Sequence, residues 1–208
     1  CQNIHELKKF IKSKFYKKKN MFVNSWGLTL LEMIKFKKSK KKINIDIMVP
    51  KKNYLNNLAH FFEIFRNLNN SKKIKFNQNI IKNVKNIDGK FSICEGHLIC
   101  ESDNLLMNIK TRKIINNDII IQMLEDDFIR YKINLTENLK VIVNSFKKNK
   151  VTKKELEFPK VIQTTSSLVN WILKKKKKIF LPSLHDHSLI AEKLLKNFEK
   201  INSNILFK

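Results

Sequence analysis

Phe91-Ser92-Ile93-Cys94-Glu95-Gly96-His97-Leu98-Ile99-Cys100 decides how the middle of this 208-residue chain is read. Two apolar arms, 91–94 and 97–100, flank Glu95-Gly96, and glycine accepts the positive φ of a two-residue hairpin turn at little cost. The stretch is therefore expected to be a tight hairpin. Outward from it, 101–104 reads as a second turn, and 105–109, 113–115 and 119–124 read as short strands. Asn116-Asn117-Asp118 supplies turn chemistry between them. A further hairpin is expected from 131–135 and 139–145 around Thr136-Glu137-Asn138. Short strands at regular spacing predict an antiparallel meander.

The flanks read differently. Ile4, Leu7, Ile11 and Phe15 follow helical spacing over 4–19, with lysines on much of the remaining surface. A second apolar stretch, 21–36, turns helical in its latter half. Ile43-Asn44-Ile45-Asp46-Ile47 alternates as a strand does, and Pro50 ends it. Leu55, Leu58, Phe62, Phe65 and Leu68 restore a helical stripe over 54–68. A short helix is expected over 166–173. A longer one follows Ser183, whose hydroxyl is placed to cap it with Asp186 three residues on; Leu189, Ile190, Leu194, Leu195, Phe198 and Ile201 form its apolar face. The expected class is α+β: N-terminal helices with one strand over 1–73, a central antiparallel β-meander over 74–146, and a basic linker (147–154) with a C-terminal amphipathic helix in 147–208.

Gly27, Gly89 and Gly96 are the only glycines, against a usual share of about 7%. A phosphate loop, a dinucleotide fingerprint and a nucleophile elbow all need clustered glycines. The sequence contains none of these. Three cysteines, Cys1, Cys94 and Cys100, make no disulfide framework. No apolar run reaches the 18 or so residues of a membrane span. A first-position cysteine followed by Gln2-Asn3 is compatible with a lipidated lipoprotein terminus.

Three clusters invite a chemical reading. In the expected hairpin, Cys94 and His97 share one face and Cys100 takes the other, so the three do not converge on a metal. His185-Asp186-His187 sits in the first turn of a helix, where Asp186 serves the exposed N–H groups and positions two apart do not face each other. Glu125-Asp126-Asp127 reads as a turn that neutralises nearby basic groups, Arg130 among them. The sequence thus offers no catalytic set, no metal site and no cofactor site.

The formal net charge is +25, with 43 basic and 18 acidic residues. Only Arg66, Arg112 and Arg130 are arginine, and heavy use of Lys, Asn, Ile and Phe is the signature of an AT-rich genome. Lysine contacts phosphate as a point charge without reading sequence. The expected phosphate contacts are Lys17, Lys18 and Lys19; Lys37, Lys38, Lys40, Lys41 and Lys42; Lys147, Lys148 and Lys150; and Lys174, Lys175, Lys176, Lys177 and Lys178. Phe91, Phe128, Tyr131 and Phe146 could add base stacking if exposed. The composition therefore points to a non-enzymatic, intracellular RNA-binding subunit of a ribosome or similar ribonucleoprotein, with nucleic acid (RNA before DNA) and other subunits as partners. Two alternatives compete: a membrane-proximal or envelope β-rich protein on anionic lipid, and a fragment of an enzyme whose basicity is compositional drift.

Overall fold

The computed structural model describes residues 4–13, 22–23, 25–36, 41–69, 74–87, 91–112, 117–138, 140–147, 150–159, 163, 168–170, 173, 181 and 183–199. The fold is α+β. Helices α1 (Ile4–Lys12) and α2 (Trp26–Met33) precede strand β1 (Ile43–Pro50). A single 3₁₀ turn, Lys51–Asn53, leads into α3 (Tyr54–Leu68). Strands β2 (Lys75–Ile87), β3 (Phe91–Ser102), β4 (Leu105–Arg112), β5 (Ile119–Glu125), β6 (Phe128–Leu135), β7 (Lys140–Lys147) and β8 (Lys150–Glu157) follow, and α4 (Leu184–Glu199) comes last.

All eight strands join one sheet in the order β2-β3-β4-β1-β5-β6-β7-β8. Two antiparallel meanders, β2 to β4 and β5 to β8, are bridged by β1, which runs parallel to β4 and antiparallel to β5. The strand nearest the N-terminus is thus the middle of the sheet. Its alternation explains the position: Ile43, Ile45, Ile47 and Val49 are buried, while Asn44, Asp46 and Met48 are half-buried on the other face.

The helices cover one face only. Leu98 and Cys100 from β3, Leu105, Met107 and Ile109 from β4, and Ile121 and Met123 from β5 meet the helical layer there. Within α3, Phe61, Phe62, Glu63, Ile64 and Phe65 are all buried, so no side of this turn faces water. A helix enclosed all round needs a second layer behind it, and α2 and α4 supply that layer.

The hairpin expected at Glu95-Gly96 does not form. β3 runs straight through both residues and pairs with β2 on one side and β4 on the other. Cys94, Gly96, Leu98 and Cys100 therefore all face the core, and His97 faces away; the expected separation of the two cysteines is wrong. Gly96 is required for a different reason from turn geometry. Its φ lies outside the left-handed region, and a Cβ there would sit 2.1 Å from Cε1 of Tyr54. The fully buried Tyr54 ring packs against the strand where the side chain is missing.

The basic segment 147–154, read as a linker, is in large part strand β8, because Lys150–Glu157 completes an antiparallel ladder with β7. The hairpin around Thr136-Glu137-Asn138 forms as expected, with β6 and β7 as its arms. The expected strand over 113–115 and most of the expected helix over 166–173 fall outside the described residues.

Candidate functional site

The densest polar constellation lies where α2, α3 and α4 meet. Gly27 makes that meeting possible. A Cβ on it would lie 2.2 Å from the His60 carbonyl oxygen, so any larger residue would push α2 off α3. With the helices this close, the fully buried Ser25 Oγ reaches His60 Nδ1 at 2.8 Å. Trp26 donates its Nε1–H to Asn57 Oδ1 at 3.1 Å and lays its ring 5.0 Å from that of His60.

One turn along α3, Glu63 is 1% exposed. Its Oε1 accepts from His187 Nδ1 of α4 at 2.7 Å, and its Oε2 has no partner among the described residues. Arg66 pairs with Asp186. Burial pushes the Asp186 carboxyl up, but hydrogen bonds with Arg66 and Ser183 and the Arg66 charge hold it below the ordinary carboxylate range. Burial, reinforced by the neighbouring His187, lowers His60 to about 4, so its imidazole is neutral at physiological pH.

Ser25 and Glu63 are closed to solvent, so this network fastens three helices and offers a substrate no path to a nucleophile. His185-Asp186-His187 is half of it. Asp186 and His187 each reach a different residue of α3, which explains a carboxylate and an imidazole side by side in a first helical turn. Ser183 caps that turn as expected, its Oγ accepting from the Asp186 N–H at 3.0 Å. Ser25, His60 and Glu63 were not singled out in the sequence. The one signal for them was a lone acid inside Phe61-Phe62-Glu63-Ile64-Phe65.

A second polar group lies on the uncovered sheet face. His97 donates from Nε2 to Asn108 Oδ1 at 2.8 Å, and Asn108 donates from Nδ2 to Asp46 Oδ1 at 3.0 Å. The acidic 125–127 segment is the expected turn: Asp126 and Asp127 both have positive φ, Arg130 pairs with Glu125 at 2.7 Å, and Lys41 pairs with Asp126 at 2.9 Å. No cluster of three or more metal-ligating side chains forms among the described residues. None of the described helices is long and apolar enough to cross a membrane.

The sixteen lysines expected at phosphates are only partly described. Lys41, Lys42, Lys147 and Lys150 are exposed, the first two before the central strand β1 and the last two on β7 and β8 at one edge of the sheet; Lys17–19, Lys37, Lys38, Lys40, Lys148 and Lys174–178 lie outside the described residues. Other lysines meet acids, Lys52 with Glu137 and Lys140 with Glu155 across elements and Lys196 with Glu192 within α4. Of the four aromatics read as stacking groups, Phe128 is 76% exposed, Tyr131 packs on Phe36, and Phe146 is half-buried. The side chain of Phe91 is outside the description.

No protein-family model and no curated protein matches the sequence. Solved structures do match the fold. A dehydrogenase (MviM) from Clostridium difficile is 11% identical, with a TM-score of 0.53 over 85% of this chain and 60% of its own. A super-repressor mutant of Gal80p from Saccharomyces cerevisiae is also 11% identical, with a TM-score of 0.57 over 96% of this chain and 67% of its own. KijD10, a 3-ketoreductase from Actinomadura kijaniata, solved with TDP-benzene and NADP, is 8% identical with a TM-score of 0.52, over 94% and 65%. The chain thus spans 60% of the length of the dehydrogenase it matches. At these identities the likeness is one of fold.

That fold overturns the reading of a non-enzymatic, ribosomal or RNA-binding protein with nucleic acid as its partner. Among the solved structures that share this fold are a dehydrogenase and a 3-ketoreductase. Lysine content alone does not signal phosphate here, because the described lysines lie on many separate elements, several of them against acids.

Proposed function

We propose that this chain is the sheet-bearing unit of a Gfo/Idh/MocA-like oxidoreductase, acting with a nicotinamide cofactor that a separate nucleotide-binding module holds. The observation behind the reading is the match of the eight-stranded sheet and its one-sided helical layer to a dehydrogenase and to an NADP-bound ketoreductase, over 85% and 94% of the chain.

The residues described do not themselves fit a dinucleotide. A pyrophosphate needs glycines where backbone N–H groups can approach it at a helix N-terminus. Gly27 is closed off by the His60 carbonyl and Gly96 by the Tyr54 ring. The sheet is largely antiparallel, with one parallel pair, and so offers no crevice of the doubly wound kind. The module would therefore lie elsewhere, on the same polypeptide or on a partner. What this unit contributes is a rigid sheet and the fastened helices α2, α3 and α4.

Mass spectrometry of nucleotides released from the protein, purified from its own cells with any longer polypeptide and partners retained, tests the reading. Recovery of NAD or NADP in near-stoichiometric amount is expected. Recovery of no dinucleotide, with RNA fragments in its place, would contradict it.

A further inference from the structure

Strand β8 closes the sheet at one edge, and its outer N–H and C=O groups meet no strand among the described residues. We propose that this edge takes the β8 of a second copy, running antiparallel, with Lys153 of each copy opposite Glu155 of the other. The proposal goes beyond the oxidoreductase reading and does not depend on it.

The two edges of the sheet are built differently. β2, the opposite edge, carries two register shifts against β3, and Asn83 within the second has a positive φ. Irregularities of this kind twist an edge away from a neighbouring chain. β8 has none. It pairs residue for residue with β7, from Lys150 opposite Lys147 to Glu157 opposite Lys140. Proline, another common defence of an edge, is absent from it. All its residues except Leu156 are exposed, so the strand stands clear on both faces.

Charge decides the occupant. Lysine on an edge normally repels a neighbouring strand. In β8 the bases come first, at Lys150, Lys153 and Lys154, and the acids last, at Glu155 and Glu157. A parallel copy would set like charge beside like. An antiparallel copy lays the basic half of each strand along the acidic half of the other.

Symmetry then fixes the register. A two-fold axis normal to the sheet keeps each side chain on its own face, and directly opposite residues share a face. With the axis at Lys154, Lys153 meets Glu155 on both sides of it, and Thr152 meets Leu156. Glu155 already pairs with Lys140 at 3.0 Å, and its carboxylate has a second oxygen to offer. The two Lys154 stems face each other across the axis and carry their ammonium groups apart into water. An axis at Lys153 brings no opposite charges together. An axis at Glu155 leaves Val151 and Thr152 without partners, because β8 ends at Glu157 and Phe158 is turned against Trp26.

Disulfide trapping of the full chain at about 100 μM, a concentration suited to the small area that one strand pair buries, is the test. Cys1→Ser removes the first-position thiol, and Cys94 and Cys100 are buried. In that background Lys154→Cys should cross-link two copies under a mild oxidant, since facing residues of an antiparallel pair lie about 4.5–5.5 Å apart between Cα atoms, within disulfide reach. Lys150→Cys should not, because its two copies would lie roughly 27 Å apart, eight residues of strand at about 3.4 Å each. Lys153→Glu should slow the Lys154→Cys cross-link about tenfold, and adding Glu155→Lys should restore it. No cross-link through Lys154→Cys, equal cross-linking at the two positions, or a rate that charge reversal leaves alone or the double reversal fails to restore would each overturn the proposal.

Discussion

Glu63 Oε1 and His187 Nδ1 are 2.7 Å apart, joining the enclosed middle of α3 to the first turn of α4. The carboxylate is 1% exposed and the imidazole 22%, so the bond is made largely out of water. Removing one partner of such a pair leaves the other without compensation. His187→Ala should cost about 3 kcal/mol, read from urea denaturation. Glu63→Gln, which keeps the size and an acceptor oxygen, should cost less than His187→Ala. Equal or negligible losses in both variants would show that α4 is held by its apolar face alone.

Close approach at Gly96 gives a second expectation. Gly96→Ala forces the Tyr54 ring off β3 and should destabilise the protein by about 1–3 kcal/mol, as overpacking does. The Tyr54 hydroxyl is buried without a hydrogen-bond partner among the described residues, and burial holds its pKa above the ordinary range. Tyr54→Phe should then be neutral or slightly stabilising, since it removes a desolvated polar group. Thermal melts of the two variants should move in opposite directions, or the second not at all.

The histidine of the helical seam sets a pH dependence. His60 is lowered to about 4 when folded, from about 6.5 in the unfolded chain. Between those values the unfolded state binds a proton that the folded state does not. Stability is therefore full above pH 6.5 and falls as pH drops toward 4, by about 3 kcal/mol in all. Urea midpoints between pH 4 and 8 should show this slope, and His60→Gln should flatten it. A wild-type curve that rises on acidification would contradict the assignment.

Thiol chemistry follows from the continuous strand. Cys94 and Cys100 both face the core, and burial raises Cys94 to about 11 and Cys100 above its ordinary value. Neither should react with a disulfide reagent at pH 8 in the native protein, and both should react at once in denaturant. Fast native labelling of Cys94 would mean that β3 opens at Gly96.

Much of the architecture was legible in local pattern. Ser183 announced the start of α4, Pro50 the end of β1, and the Leu55–Leu68 stripe the helix between them. What misled was Gly96. A lone glycine between apolar arms is consistent with a turn or with a place where another group comes close, and only the Tyr54 ring, from a distant segment, decides between them. β1 gave no hint that it would lie between β4 and β5, because strand order is set by packing across the sheet and not by neighbours in the chain. β8 was hidden by its exposure: Val151, Thr152, Lys153 and Lys154 are all exposed, so its sequence had no buried face to show. The helical seam was legible only as an acid out of place at Glu63.

Titration of NADH and NADPH into the protein from its own cells, followed by nicotinamide fluorescence, bears most directly on the oxidoreductase reading. Saturable binding of one of the two at micromolar concentration is the predicted outcome. No binding of either at about 1 mM, the upper end of ordinary enzyme affinities, would contradict it.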